Sequence, residues 1–167
     1  ITGVVDGSTA ISIECPTNTK PLVATIPVTV KQNAIRILAI GNSFSQDAVE
    51  QYLYELAEAA GYELIIGNMY IGGCDLDKHW ANFQSDAAAY EYRKIVTGEK
   101  VGKIGYKLSQ GLADENWDYI SLQQASGKSG KYETYTVLAD LIAGIKERCP
   151  KAKLLWHQTW AYASSST

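Results

Sequence analysis

IRILAIGNSFSQDAVEQYLYELAEAAG, residues 35–61, contains a change of period that decides the fold. Ile35 to Ile40 is apolar at every position but Arg36, as expected of a strand covered on both faces. Gly41, Asn42 and Ser43 then interrupt it with three residue types that suit turns. Beyond them Val49, Leu53, Leu56 and Ala60 fall on one helical face. Asp47 is placed to cap that helix, Glu50 to complete a capping box and Gly61 to end it. A buried strand handing over to an amphipathic helix is half of a βαβ unit.

The same alternation continues outward. ELIIGNMYI (63–71) reads as a second strand, stopped by Gly72 and Gly73. Leu76, Trp80, Phe83, Ala87 and Tyr90 recur at spacings of three and four, so a helix is expected over much of 74–93. KIVTGEKVGKI (94–104) suggests an inserted hairpin, and YKLSQGLADENW (106–117) a helix. DYISLQQ (118–124) and KLLWHQTW (153–160) are the third and fourth strands. Between them Thr134 is expected to cap a helix carrying Val137, Leu138, Leu141, Ile142 and Ile145, which must end before Pro150. Repeated strand and helix implies a parallel sheet with helices on both faces and right-handed crossovers. In such sheets the binding crevice lies beyond the carboxyl ends of the strands. Ser43, Gly72 and Gly73, Gln123 and Gln124, and His157 all fall at such ends.

Residues 1–33 differ. Ile11, Ile13 and Cys15 alternate with polar residues, and Leu22 to Val30 alternates similarly around Pro27, with CPTNTKP as the turn between. Two or three strands are marginal alone. Ile1-Thr2-Gly3-Val4, Gly7, Ala10 to Ile13 and Val28-Thr29-Val30 resemble the C-terminal end of bacterial Ig-like domains of group 2, which implies strands of a β-sandwich. The division expected is therefore 1–33, Ig-like strands, and 34–167, the α/β domain.

Composition narrows the function. Of 167 residues, 46% are hydrophobic and 20% charged, the balance of a globular protein. A net charge of −3 provides no basic footprint for nucleic acid. No apolar run approaches the roughly 18 residues of a membrane helix, so no membrane insertion is expected. ITGVVDGSTA lacks the basic start and long apolar stretch of a signal peptide. Cys15, Cys74 and Cys149 are odd in number and far apart, which argues against a disulfide framework or zinc cluster and for buried thiols. No metal or cofactor is expected. Nothing in the residues addresses oligomeric state.

At position 43 two readings compete: a plain turn, or a serine nucleophile presented at a strand end. A serine hydroxyl needs a base, and its attack on an ester creates an oxyanion that needs preorganised donors. The Ser43 and Gly73 backbone N–H groups are two candidates, and a carboxamide from Gln124 or Gln123 a third.

Four motifs, Ile40-Gly41-Asn42-Ser43-Phe44-Ser45, Ile71-Gly72-Gly73-Cys74, Trp117 to Ser126 and Trp156 to Tyr162, together resemble the SGNH (GDSL-like) hydrolases, and within them an uncharacterised bacterial branch. The resemblance spans 35–162 and implies a flavodoxin-like three-layer α/β/α sheet, a Ser43 nucleophile, and Gly73 as second oxyanion donor, with glutamines where the family usually has asparagine. Asn42 stands where the family usually has Asp, and the Asp-x-x-His that supplies the family's base is absent. The expectation is therefore a sequence cut at both ends, its α/β domain incomplete at the C-terminus.

Neither of the two histidines replaces that base readily. His79 suits packing, structural or beside substrate, and His157 either a substrate contact or a hydrogen-bonded strand end. Asn42, Gly72, His157, His79 and Trp160 are the candidates for touching substrate, with Trp80 and Trp160 suited to a glycan and Trp117 and Trp156 to the core. Cys74 reads as a packed thiol. The expected activity is a serine esterase that removes acyl groups, acetyl among them, from carbohydrate or a small ester. The Ig-like neighbour points to a secreted, periplasmic or cell-surface setting. The alternative is a non-catalytic glycan-binding or adhesin module on the same fold. A phosphate loop is weaker, since GNSFS lacks both a glycine repeat and a lysine.

Overall fold

The computed structural model describes residues 7–15, 22–30 and 34–159. The chain divides into two compact units, Ile1–Asn33 and Ala34–Thr167. In the first, β1 (Gly7–Cys15) and β2 (Leu22–Val30) pair antiparallel, Gly7 opposite Val30 and Cys15 opposite Leu22. Ile1 to Val4, on which part of the Ig-like resemblance rests, lies outside the described residues.

The second unit is a six-stranded, mostly parallel sheet flanked by helices. Its strands in chain order are β3 (Ile35–Gly41), β4 (Leu64–Tyr70), β5 (Tyr90–Val96), β6 (Glu99–Tyr106), β7 (Tyr119–Leu122) and β8 (Lys153–Trp156). Across the sheet the order is β6-β5-β4-β3-β7-β8. β3, β4, β7 and β8 run parallel, whereas β5 and β6 form an antiparallel hairpin on the outer edge of β4. The hairpin foreseen from KIVTGEKVGKI thus belongs to the sheet. Its first strand begins at Tyr90, which the helical spacing had assigned to a helix. That helix, α3 (Leu76–Ser85), stops at Asp86, whose φ of 48° is left-handed and breaks the ladder.

β3 sorts its side chains by alternation. Leu38 and Ile40 join Met69, Trp117, Ile120 and Leu141 on the face covered by α3, α4 (Leu108–Ala113) and α5 (Leu138–Arg148). Ala39, with Ile35 and Ile37, joins Leu64, Ile66 and Val49 on the face covered by α1 (Ser43–Glu50) and α2 (Leu53–Ala59). Two helix starts differ from expectation. α1 opens at Ser43, because Asn42 accepts the Phe44 N–H and so caps the helix ahead of Asp47. Asp47 instead accepts from Gln51, and Glu50 turns inward to Asn68, Arg93 and Lys100. α5 opens at Leu138 without a side-chain cap, since Thr134 sits in a separate 3-10 turn and donates to the Lys131 carbonyl.

β3 is the switch point of the sheet. The chain leaves it toward β4 on one side and later returns to add β7 on the other, so the loops that follow β3 and β7 diverge and leave a crevice between them.

Candidate functional site

Four loops meet at that crevice, and Asn42 ties them together. Its Nδ2 donates to the Cys74 carbonyl at 2.9 Å, and its Oδ1 accepts the Phe44 N–H at 3.1 Å and Gln123 Nε2 at 2.5 Å. Gln123 Oε1 in turn bonds His157 Nδ1 at 2.9 Å. One hydrogen-bonded chain therefore passes through the loops after β3, β4, β7 and β8. Asn42 and Gln123 are both 1% exposed, so these bonds are sheltered from water. Gly41 allows the approach: a Cβ there would stand 2.8 Å from the Gln123 carboxamide and 2.9 Å from Ser45 Cβ.

Ser43 follows this hub and is exposed. No hydrogen bond among the described residues engages its hydroxyl. As the first residue of α1 its N–H has no intrahelical acceptor, and the positive end of the helix dipole lies there. On the other side of the Asn42–Cys74 bond lies the turn 71–74, anchored to β3 by Ile71 N–H on Gly41 O (3.1 Å) and closed by Cys74 N–H on Ile71 O (3.2 Å). Gly72 and Gly73 form its exposed crest, and Gly73 has φ +63°, a conformation suited to glycine. Ser43 and Gly73 are thus the immediate neighbours of two hydrogen-bonded residues.

Both glutamine side chains are committed internally. Gln124 Oε1 accepts from the Leu76 and Ala125 N–H groups, at 3.1 and 2.8 Å, and its Nε2 donates to the Thr134 carbonyl at 2.8 Å. The carboxamide hydrogens held in these bonds, and in the Gln123–Asn42 bond, are not free for a developing oxyanion. The ion pairs of Lys128 with Asp75 (2.6 Å) and Asp77 (3.2 Å) also fasten the segment after β7 to the start of α3. Burial would raise the Asp75 pKa, but hydrogen bonds from Lys128 and the Lys78 N–H outweigh it and hold the carboxyl below its usual range.

The histidines separate. His79 is fully buried in α3, stacked on Tyr90 with Nδ1 3.0 Å from its hydroxyl, and desolvation lowers its pKa to about 4. It is a neutral core group that has no access to substrate. His157 is half-buried at the end of β8, and burial lowers its pKa also. Asn42, considered as a substrate contact, is buried with its described side-chain bonds all directed to other residues of the chain. Trp80 is half-buried and stacks on Phe83 at 5.6 Å, packed against the core. Trp117 is buried, but Trp156, expected in the core, is 42% exposed. Trp160 lies outside the described residues. Cys74 is buried and its thiol is pushed up to about 12 by desolvation, so it is no thiolate nucleophile at neutral pH.

What sequence reasoning missed is a cavity of about 450 Å³ beside His157, bordered by Gln124, Lys131, Tyr135, Trp156, Gln158 and Thr159 among others. The turn-rich SGKSGK run before Thr134 signals an irregular segment, but no local pattern indicates that it packs opposite Trp156. Among the described residues no group of three or more His, Cys, Asp or Glu side chains is placed to hold a metal, and no helix is long and apolar enough to cross a membrane.

Fold and site together define an α/β sheet protein with a polar crevice at its topological switch point. More particularly, the chain belongs to the DUF4886 family, a domain of unknown function, whose profile matches residues 36–167. It is similar to a DUF4886 family protein of Bacteroides uniformis ATCC 8492, known from a crystal structure, with 53% identity and a TM-score of 0.77. The match covers 80% of this chain and 53% of that one, so the chain spans about half the length of its solved relative. None of the curated proteins matches it.

Proposed function

We propose that this protein is a serine acyl hydrolase of SGNH type, with Ser43 as nucleophile and acylated carbohydrate or a related small ester as substrate. The observation that carries the reading is the Asn42 hub: its bond to the Cys74 carbonyl joins the turn that carries the exposed Gly73 to the residue before Ser43, whose exposed hydroxyl, at a helix N-terminus, is unbonded among the described residues.

In the proposed reaction Ser43 Oγ attacks the acyl carbonyl and gives its proton to a base. The new oxyanion takes hydrogen bonds from the Ser43 and Gly73 N–H groups, each typically worth about 10²–10³ in kcat. Collapse expels the sugar alkoxide, which recovers the proton, and water then releases the acid from the acyl-enzyme. Neither described histidine is bonded to Ser43, for His79 pairs with Tyr90 and His157 with Gln123. The proposal therefore takes the base from elsewhere in the full-length protein, as the resemblance to Asp-x-x-His enzymes suggests. The Ig-like resemblance of the N-terminal strands supports action at the bacterial surface or beyond it.

The test is p-nitrophenyl acetate hydrolysis by the full-length protein and its Ser43→Ala form. A loss of at least about 10³-fold is expected, the scale on which removing an activated nucleophile acts. Equal rates would end the esterase reading. Should sugar binding then survive, a non-catalytic glycan-binding module would be the better description.

A further inference from the structure

Each bond in the chain from Cys74 to His157 constrains the next. The Cys74 carbonyl can only accept, so Asn42 must present its NH₂ there and its oxygen to Gln123. Gln123 must then donate through Nε2, which leaves Oε1, an acceptor only, against His157 Nδ1. The proton of the neutral imidazole is therefore on Nδ1, and Nε2 carries a lone pair. Nε2 makes no hydrogen bond among the described residues.

His157 lines the 450 Å³ cavity, which is within the usual range for small-ligand sites. Trp156 and Tyr135 form one wall, their rings 5.6 Å apart and tilted by 51°, and the Tyr135 hydroxyl is tied to the Ser129 carbonyl at 2.6 Å. Thr159, 7% exposed, contributes a buried hydroxyl with no partner among the described residues. Among those residues the lining includes no aliphatic side chain and no carboxylate, and its one full charge is Lys131. Such a surface pairs an aromatic wall with neutral polar groups. It suits a ring with an apolar face for the aromatics and hydroxyls for the polar groups.

We propose that this cavity is a subsite for a polyhydroxylated ring, and that His157 selects it by accepting a ligand hydroxyl at Nε2. The inference rests on the acyl-hydrolase reading, whose alcohol side it supplies. Gln123 is a positioning residue here, acting through the imidazole it orients.

The test uses the full-length protein carrying Ser43→Ala, with xylohexaose, mannohexaose and cellohexaose as probes in calorimetry. At least one should bind, and adding Trp156→Ala or His157→Ala should weaken it at least tenfold. In ¹⁵N NMR of the parent, His157 should be the Nδ1–H tautomer. In Gln123→Met it should revert to Nε2–H, with a matching loss of binding. No binding by any probe, unchanged affinity in both cavity variants, or an Nε2–H tautomer in the parent would overturn the proposal. The two readings fail separately: a serine-dependent esterase that binds none of the probes loses only the subsite, whereas sugar binding without serine-dependent hydrolysis loses only the esterase.

Discussion

Asn42→Asp is a near-isosteric change at the hub whose effect follows from which contacts survive. Asp and Asn cap helices about equally well, so the bond to the Phe44 N–H is kept. The helix dipole favours the new negative charge by about 0.3–1 kcal/mol. The remaining oxygen, however, replaces Nδ2 at 2.9 Å from the Cys74 carbonyl, where two acceptors then face each other at a site 1% exposed. Losing a buried hydrogen bond and leaving its acceptor unpaired costs about 1–3 kcal/mol, and burial of the charge adds to this. The penalty wins, and the variant should be less stable by about 2 kcal/mol at pH 7, or roughly 4–8 °C in Tm for a domain of this size. The sign with pH follows. Once protonated, the introduced carboxyl can again donate to the Cys74 carbonyl, so its folded pKa is raised above the unfolded value of about 3.9. The deficit is then smallest below that value and grows as pH rises through the folded pKa. Urea unfolding of parent and variant at pH 4 and pH 7 measures both quantities. A variant as stable as its parent at pH 7, or a deficit equal at the two pH values, would refute the reasoning, including the assignment of Asn42 Nδ2 toward Cys74.

Other consequences can be read from the same contacts. Gly67→Ala would place a Cβ 2.8 Å from the Trp117 ring and 3.0 Å from both Leu38 and Tyr92, so thermal melts should show a loss of about 1–3 kcal/mol, the usual cost of overpacking. Glu50, 2% exposed at its side chain, holds Arg93 and Lys100, and Glu50→Gln should cost about 1 kcal/mol in chemical unfolding, since Arg93 keeps its pair with Glu91 and the cation released, Lys100, is 45% exposed. The lowered pKa of Asp75 makes its contribution present above the unfolded value of about 3.9 and lost as pH falls through the folded one. Asp75→Asn keeps the α3 cap but removes the ion pair with Lys128, so the variant should be less stable at pH 7 and show a smaller loss between pH 5 and pH 2.

The alternation of strands and helices and the placing of four motifs at strand ends were legible because they follow local periods of two and 3.6. Segment ends were less so. Asn42 and Asp47 have nearly equal intrinsic merit as helix caps, and the choice of Asn42 came from its bonds to Gln123 and Cys74. Tyr90 fits a helical face as well as a strand, and pairing with Tyr106 made it β. Gln123 and Gln124 are adjacent just past the end of β7, and only the placing of that strand beside β3 sends one toward Asn42 and the other toward Thr134.

By itself, then, the sequence determined an α/β unit with Ser43, Gly73 and the glutamines at the carboxyl ends of its strands, since backbone propensity and hydrophobic period act between near neighbours. The tertiary structure alone decided that β3 lies between β4 and β7, that His79 is sealed against Tyr90, and that His157 is held by Gln123. Those outcomes depend on hydrogen bonds and packing between residues such as Asn42 and Gln123, 81 positions apart, which no local pattern encodes.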